Sequence, residues 1–300
     1  MGWGNHMIRL IASDMDGTLL NDFWEISGEN AAAIKKAQEL GIEFVIATGR
    51  PYSNVHVVTE KVNLSCAVIS LNGATTFDRN GVLIASCPLT REEVRQTQKV
   101  LEEENIYYEL MTSHGGFSIN KKAYTDIFYY IGNLELAHIE EQERNAIIER
   151  MGEERIRNEN CRFISSFEEI LNDESIVIYK IFGMSIHEEA LARADKRLKE
   201  IESLSISSAS HTNIEVNAKN AHKAEAVFNY AASLGIKPEE VMTIGDSFND
   251  FTMLKGAGRG VSMANAHADI RALTKWTTKS NNEHGVAHAI YDMLTELARK

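Results

Sequence analysis

No run of about eighteen apolar residues occurs in this 300-residue chain, which leaves out a membrane-spanning helix. Met1 to His6 have neither a basic and apolar stretch nor a cleavage pattern. They read as a leader or remnant ahead of Met7, and a cytoplasmic protein is expected. Cysteine is scarce: Cys66, Cys87 and Cys161 are odd in number and form no Cys-x-x-Cys pair, so neither a disulfide framework nor a zinc site is indicated. Each reads as a small apolar residue or a reduced thiol. Positive charge is also short, with 31 Lys and Arg against 43 Asp and Glu and a net charge of -12. Nucleic acid binding needs clustered cations to displace counterions, so a polyanion partner is excluded while a small anion could still bind locally. Internal repeats and low-complexity tracts are missing too.

What is present is an ordinary apolar fraction, 44%, in a chain long enough for two domains. Ile8 to Ala12 is an apolar run ending at Ser13 and Asp14, which predicts a buried strand delivering acids at its carboxyl end. Ser27 can cap a following helix that carries Ile34, Ala37 and Leu40 on one face, and Gly41 can end it. Ile42 to Ala47 predicts a second strand, Pro51 opens a second helix, and Ala67 to Ile69 gives a third strand before Asn72-Gly73. Strands and helices alternating in this way predict an α/β fold, a doubly wound, Rossmann-like parallel sheet with helices on both faces.

The texture then changes. Thr75 to Phe77 and Val82 to Ala85 flank a turn at Asp78 to Gly81, a hairpin that leaves the sheet. From Thr90, with Glu93 as partner in a capping box, helices mix with short strands at 106–111, 116–119, 176–184, 204–207 and 213–216. Parallel-sheet texture resumes with a helix over 221–234, a strand over 241–244, another over 260–263 and a final helix over 286–297. The expected organisation is a discontinuous core, residues 1–85 and 211–300, with an α+β domain of residues 86–210 inserted into it. His114 to Gly116 reads as a glycine-rich turn, the Tyr107-Tyr108 and Tyr129-Tyr130 pairs as packing residues of the insertion, and Glu140 to Glu159 as a solvated helical face.

In an open parallel sheet, ligands bind at the carboxyl ends of the strands. Here those ends carry Asp14 and Asp16, Thr48, Asn72, and Asp246 with Asn249 and Asp250, while Lys223 heads the helix before the last of these. Carboxylates converging on one edge repel one another unless a hard divalent cation with oxygen ligands, usually magnesium, joins them. Taken singly, an Asp-x-Asp pair is common on surfaces, Gly245-Asp246-Ser247 could cap a helix, and Thr48 could satisfy a turn.

Asp14-Met15-Asp16-Gly17-Thr18, Ala47-Thr48-Gly49-Arg50, Lys223 and Gly245-Asp246-Ser247-Phe248-Asn249-Asp250, in this order, resemble the motifs of the haloacid dehalogenase-like hydrolases. Leu71 to Ala74, Met253-Leu254 and Asn265-Ala266 are similar to the Cof-type phosphatases of that superfamily, which carry a large C2-type (IIB) cap after the third core strand. The resemblance is strong on both sides of the insertion and weak within it. It implies a magnesium-dependent phosphatase acting on small phosphorylated metabolites through an aspartyl-phosphate. Asp14 would be the nucleophile and Asp16 the general acid and base. Thr48 and Lys223 would hold the phosphoryl group, with Gly49, Arg50, Asn72 and Asn249 also on the phosphate side. Asp14, the carbonyl of Asp16, and Asp246 would hold the metal, with Asn249 and Asp250 completing the metal site.

The family often has Lys-Gly where this chain has Lys223-Ala224, and Lys219 is a rival four residues earlier. Ala226 and Val227 continue the family's apolar pattern and favour Lys223. Two other readings remain open: a phosphotransferase or mutase of the same superfamily, and a receiver-like phospho-acceptor module. The chain is expected to act as a monomer or homodimer, with no nucleic acid and no membrane partner.

Overall fold

The computed structural model describes residues 7–208 and 210–298, so the expectation for Met1 to His6 lies outside the described residues. The chain divides into two compact units: residues up to Ser86 together with those from Ala221 onward, and Cys87–Asn220 between them.

The first unit begins with β1 (Leu10–Ser13), α1 (Gly28–Glu39), β2 (Glu43–Ala47), α2 (Tyr52–Lys61), β3 (Ala67–Ser70) and the hairpin of β4 (Thr75–Phe77) and β5 (Leu83–Ser86). Ser27 caps α1 by accepting from the Asn30 N–H, and Gly41 follows it at φ 80°, where a side chain would be strained.

The second unit contains α3 (Arg91–Glu103), β6 (Tyr107–Thr112), β7 (Gly115–Ser118), α4 (Lys121–Glu135), α5 (Glu141–Asn158), β8 (Arg162–Phe163), α6 (Glu168–Leu171), β9 (Ile178–Met184), α7 (Glu188–Leu198), β10 (Leu204–Ser207) and β11 (Asn213–Ala218). The Thr90 and Glu93 capping box is formed, with both reciprocal hydrogen bonds. The strands make one sheet in the order β10-β11-β9-β6-β7-β8, antiparallel except where β7 meets β8. From the sequence, residue 211 onward is expected in the first unit; β11 instead pairs with β9 and β10, so the return falls after it.

The chain re-enters the first unit with α8 (Lys223–Ser233), β12 (Val241–Gly245), α9 (Phe251–Gly256), β13 (Arg259–Ser262), α10 (Ala268–Leu273), β14 (Trp276–Thr277) and α11 (Gly285–Ala298). Among the described residues its sheet has eight strands, ordered β14-β13-β12-β1-β2-β3-β4-β5. All neighbours are parallel as far as β3, and β4 and β5 run antiparallel at the edge.

Alternate residues of the central strands enter opposite cores. Ile11, Phe44, Ile46 and Ile244 pack with α1 and α11 through Ile34, Ala37 and Ile290, whereas Leu10, Val45, Ile69 and Val241 pack with α8 and α9 through Val227 and Met253. This double burial is why the strands read as continuous apolar runs rather than alternating ones. Strand order reverses at β1: successive strands β2 and β3 lie on one side, β12 to β14 on the other. The switch point where a doubly wound sheet binds ligands is therefore the carboxyl end of β1 and β12.

In the second unit one sheet face packs on α3 and α7 through Val94, Leu101, Leu110, Ile181, Leu191 and Leu198. The other face carries buried Glu109, which accepts from Arg155 at 3.0 and 2.7 Å and from the Tyr107 hydroxyl at 2.8 Å. Arg155 and Glu159 are thus turned inward, at 18% and 10% side-chain exposure, and not part of a wholly solvated face. Their helix reads as a charge-rich surface because nothing local in the sequence shows that Glu109 awaits them across the fold. No described helix is long and apolar enough to cross a membrane. The three cysteines are free, and burial pushes the Cys66 and Cys161 thiols up to about 12.

Candidate active site

Strand register brings the acidic turns together. Ser13 at the end of β1 sits beside Ile244 of β12 and Ile46 of β2, so the residues that follow, Asp14, Asp246 and Thr48, emerge on one edge of the sheet. Asp14 donates its N–H to Ile244 O at 2.9 Å, and its side chain is buried. After it the chain makes a wide turn over Met15–Leu19, broken by Gly17 at φ 72°. A Cβ at Gly17 would lie 2.6 Å from Asp246 Oδ2, so glycine is required by both conformation and space.

The Lys223 ammonium, at the first residue of α8, donates to Asp14 Oδ1 at 2.5 Å and to Asp250 Oδ1 at 2.9 Å. Lys219 is exposed, so Lys223 is the lysine that reaches the strand ends. Asp250 is fully buried, and its other oxygen accepts the N–H groups of Asp246 and Ser247, each at 3.2 Å. Asp246 Oδ1 accepts from the Thr18 hydroxyl at 2.8 Å. Each of Asp14, Asp246 and Asp250 offers a carboxylate oxygen within 4.8 Å of the others.

Three carboxylates thus meet one ammonium, and the surplus of negative charge raises the proton affinity of the cluster. Burial first, then Asp250, lifts the Asp14 carboxyl well above the ordinary range, with Lys223 pulling the other way. The Asp246 carboxyl is pushed up to about 6 by burial and then by Asp250. Burial alone would lower the Lys223 ammonium, yet Asp14 and Asp250 more than offset it and hold it above its usual value. Oxygen donors in this excess fit a hard divalent cation.

The other expected residues lie around this cluster in different ways. Thr48 is buried at the end of β2; its hydroxyl accepts from the Arg50 N–H at 3.1 Å and its carbonyl from the Asn72 N–H at 2.9 Å. Asn72 is buried with φ 61°, and Gly49 is half-buried beside Thr48. The Asn249 carboxamide oxygen accepts from the Ser247 hydroxyl at 2.5 Å. Asp16 turns its carboxylate to Arg50, which binds both its oxygens, with Nε at 2.9 Å and Nη2 at 2.5 Å. Two supports have no role assigned from sequence: Thr18, which holds Asp246, and Asn265, which donates to Gly17 O at 2.8 Å and so fixes the turn after Asp14. Thr18 lies inside the first acidic motif, but its partner 228 positions away leaves no local signal.

Comparison with known proteins identifies the family. The profile of the haloacid dehalogenase-like hydrolases matches residues 11–290. The chain belongs to that family and is an enzyme of the hydrolase class. It is 35% identical over 292 residues to the phosphatase YwpJ of Bacillus subtilis (strain 168), covering 96% of this chain and 100% of that protein. It is 31% identical over 284 residues to the 5-amino-6-(5-phospho-D-ribitylamino)uracil phosphatase YcsE of the same organism, covering 94% of each. Among solved structures, a haloacid dehalogenase-like hydrolase from B. subtilis superposes with a TM-score of 0.83 at 34% identity, covering 95% of this chain and 99% of that one. The inserted α+β unit and the parallel-sheet core are the arrangement that the family resemblance implied.

Proposed function

We propose that the protein is a magnesium-dependent phosphatase that hydrolyses small phosphorylated metabolites, sugar phosphates or phosphorylated cofactors, through an aspartyl-phosphate on Asp14. The observation that carries this reading is a buried Asp14 at the sheet's switch point, held by Lys223 and faced by two further carboxylates. A structural ion pair would need one acid; the surplus fits a site that gains a cation and a phosphoryl group.

Asp14 and Asp246, with the Asp16 carbonyl, would hold the metal, and Asp250 and Asn249 would orient the residues around it. When bound, the metal neutralises the surplus and draws charge from the phosphoryl oxygens. An Asp14 oxygen attacks phosphorus, the bond to the leaving oxygen breaks, and Asp16 delivers a proton to that oxygen. Water then attacks the phosphorus of the aspartyl-phosphate, Asp16 takes its proton, and orthophosphate leaves as Asp14 is regenerated. Lys223 and Thr48 meet the charge on the transferring group, a contribution usually larger than any other single one. Since these residues address only the phosphoryl group, the second unit is the remaining source of selection among leaving groups. A relative named for a substrate with a phosphorylated ribityl chain supports a polyol-like leaving group.

The test is release of inorganic phosphate from a panel of phosphorylated metabolites, with and without added sugar acceptors. Many turnovers per enzyme, with phosphate as the main product, are expected. A single turnover would indicate a phospho-acceptor module, and phosphoryl transfer to the sugar would indicate a transferase.

A further inference from the structure

The fold places Trp24 where no packing need explains it. The residue is 56% exposed and stands at φ 60°, a left-handed conformation that bulky side chains seldom adopt. Its turn is nevertheless fastened from several sides. Asn21 O accepts the Trp24 N–H, and the Asn21 carboxamide accepts the N–H groups of Phe23 and Glu25, all at 3.0 Å. Asp22 is gripped by Asn281 at 3.1 Å and by Asn282 at 2.8 Å. A strained aromatic residue on an over-determined turn is a mark of a site under functional constraint.

What the turn presents is a shelf for Arg50. The guanidinium lies over the Trp24 ring, 5.0 Å from its centroid, while Nη1 donates to Asn54 Oδ1 at 2.8 Å. Its remaining edge grips both oxygens of Asp16. The Asp16 side chain is 44% exposed, so without this grip it would be free to swing between rotamers. The guanidinium lies over the ring and two of its edges are engaged, and a planar fork held in this way transmits its orientation to the carboxylate.

We infer that Trp24 is a positioning residue for proton transfer, acting through Arg50 to fix the position at which the Asp16 carboxylate stands between proton transfers. The inference rests on the acid and base role read for Asp16. Proton transfer depends on placement to within a fraction of an ångström, so loss of the shelf shows in reactions that need the proton and little in those that do not.

The experiment compares an alkyl phosphate, whose leaving alkoxide is basic, with p-nitrophenyl phosphate, whose leaving group departs unaided. Trp24→Ala should lower kcat for the alkyl ester about tenfold or more, with KM changed less than about threefold and a smaller loss for the aryl ester. Trp24→Phe, which keeps a ring under the guanidinium, should recover most of that loss. In an Asp16→Asn background, Trp24→Ala should cost nothing further, because the group it positions is already gone. Equal losses on both esters, or the same penalty with and without Asp16, would overturn the inference. Failure of the underlying reading appears in a different variant: Asp16→Asn alone would then hurt both esters equally, whatever Trp24 does, and would overturn both claims. Thermal melts of each variant distinguish a lost fold from lost positioning.

Discussion

Buried charge is arranged differently in the two units. In the second, Glu109 and Glu159 share Arg155 at 2.7 and 3.0 Å, and Glu215 meets Lys180 at 2.8 Å, so the surplus there is a single acid. In the first, Asp14, Asp246 and Asp250 gather around Lys223 with charge left over. Both arrangements carry a desolvation penalty, and the first, with three acids to one base, leaves more of it uncompensated by the protein's own side chains. The more nearly balanced charges of the second unit tie its helix to its sheet. In the first unit, burial and the neighbouring carboxylates displace the proton affinities of Asp14 and Asp246 upward, as suits the site proposed above.

The contrast breaks most sharply on metal removal. Chelation should take turnover to background and magnesium should restore it, as measured by phosphate release. The associated pH dependence has a definite sign. The Asp246 carboxyl rises from an ordinary value of about 4 to about 6 in the folded protein, so the folded state binds more protons in that window. Metal-free protein should therefore lose stability as pH rises from about 4 through about 6, and magnesium should raise the melting temperature more at pH 7.5 than at pH 5. A magnesium effect on melting that grows toward acid would contradict the cluster's role.

Asp14→Asn comes next. Loss of the nucleophile should lower kcat by about 10³-fold or more, while removal of one charge from the surplus should raise the melting temperature of the metal-free protein. Activity and stability moving in opposite directions is the signature of a strained site; a fall in both would mean that Asp14 is structural. The smallest expected effect on activity belongs to the second unit. Glu109→Gln weakens the two hydrogen bonds from Arg155, which keeps Glu159, and should cost about 2 kcal/mol in denaturant unfolding, with aryl phosphate turnover changed only a few-fold while the protein stays folded.

Much of this contrast is legible in the amino-acid sequence. The core strands read clearly because both of their faces are buried, and the acidic turns stand at their ends, where the chemistry of a parallel sheet resides. The capping residues Ser27 and Thr90 with Glu93 mark their helix starts because capping is local. What could not be read depends on distant partners. The inward turn of Arg155 needs Glu109, 46 residues away, and the pairing of β11 with β9 needs the sheet itself. Likewise the Arg50 and Asp16 fork joins residues 34 apart, and the Trp24 shelf beneath it carries no motif at all.

In the proposed reaction Asp14 carries the phosphoryl group during turnover. Acid quenching of the enzyme during steady-state hydrolysis, followed by peptide mass spectrometry, tests it directly. One phosphoryl group is expected on the peptide containing Asp14, absent from Asp14→Asn and lost when substrate is exhausted. A phosphoryl group on any other side chain, or sustained turnover by the folded Asp14→Asn variant, would contradict it.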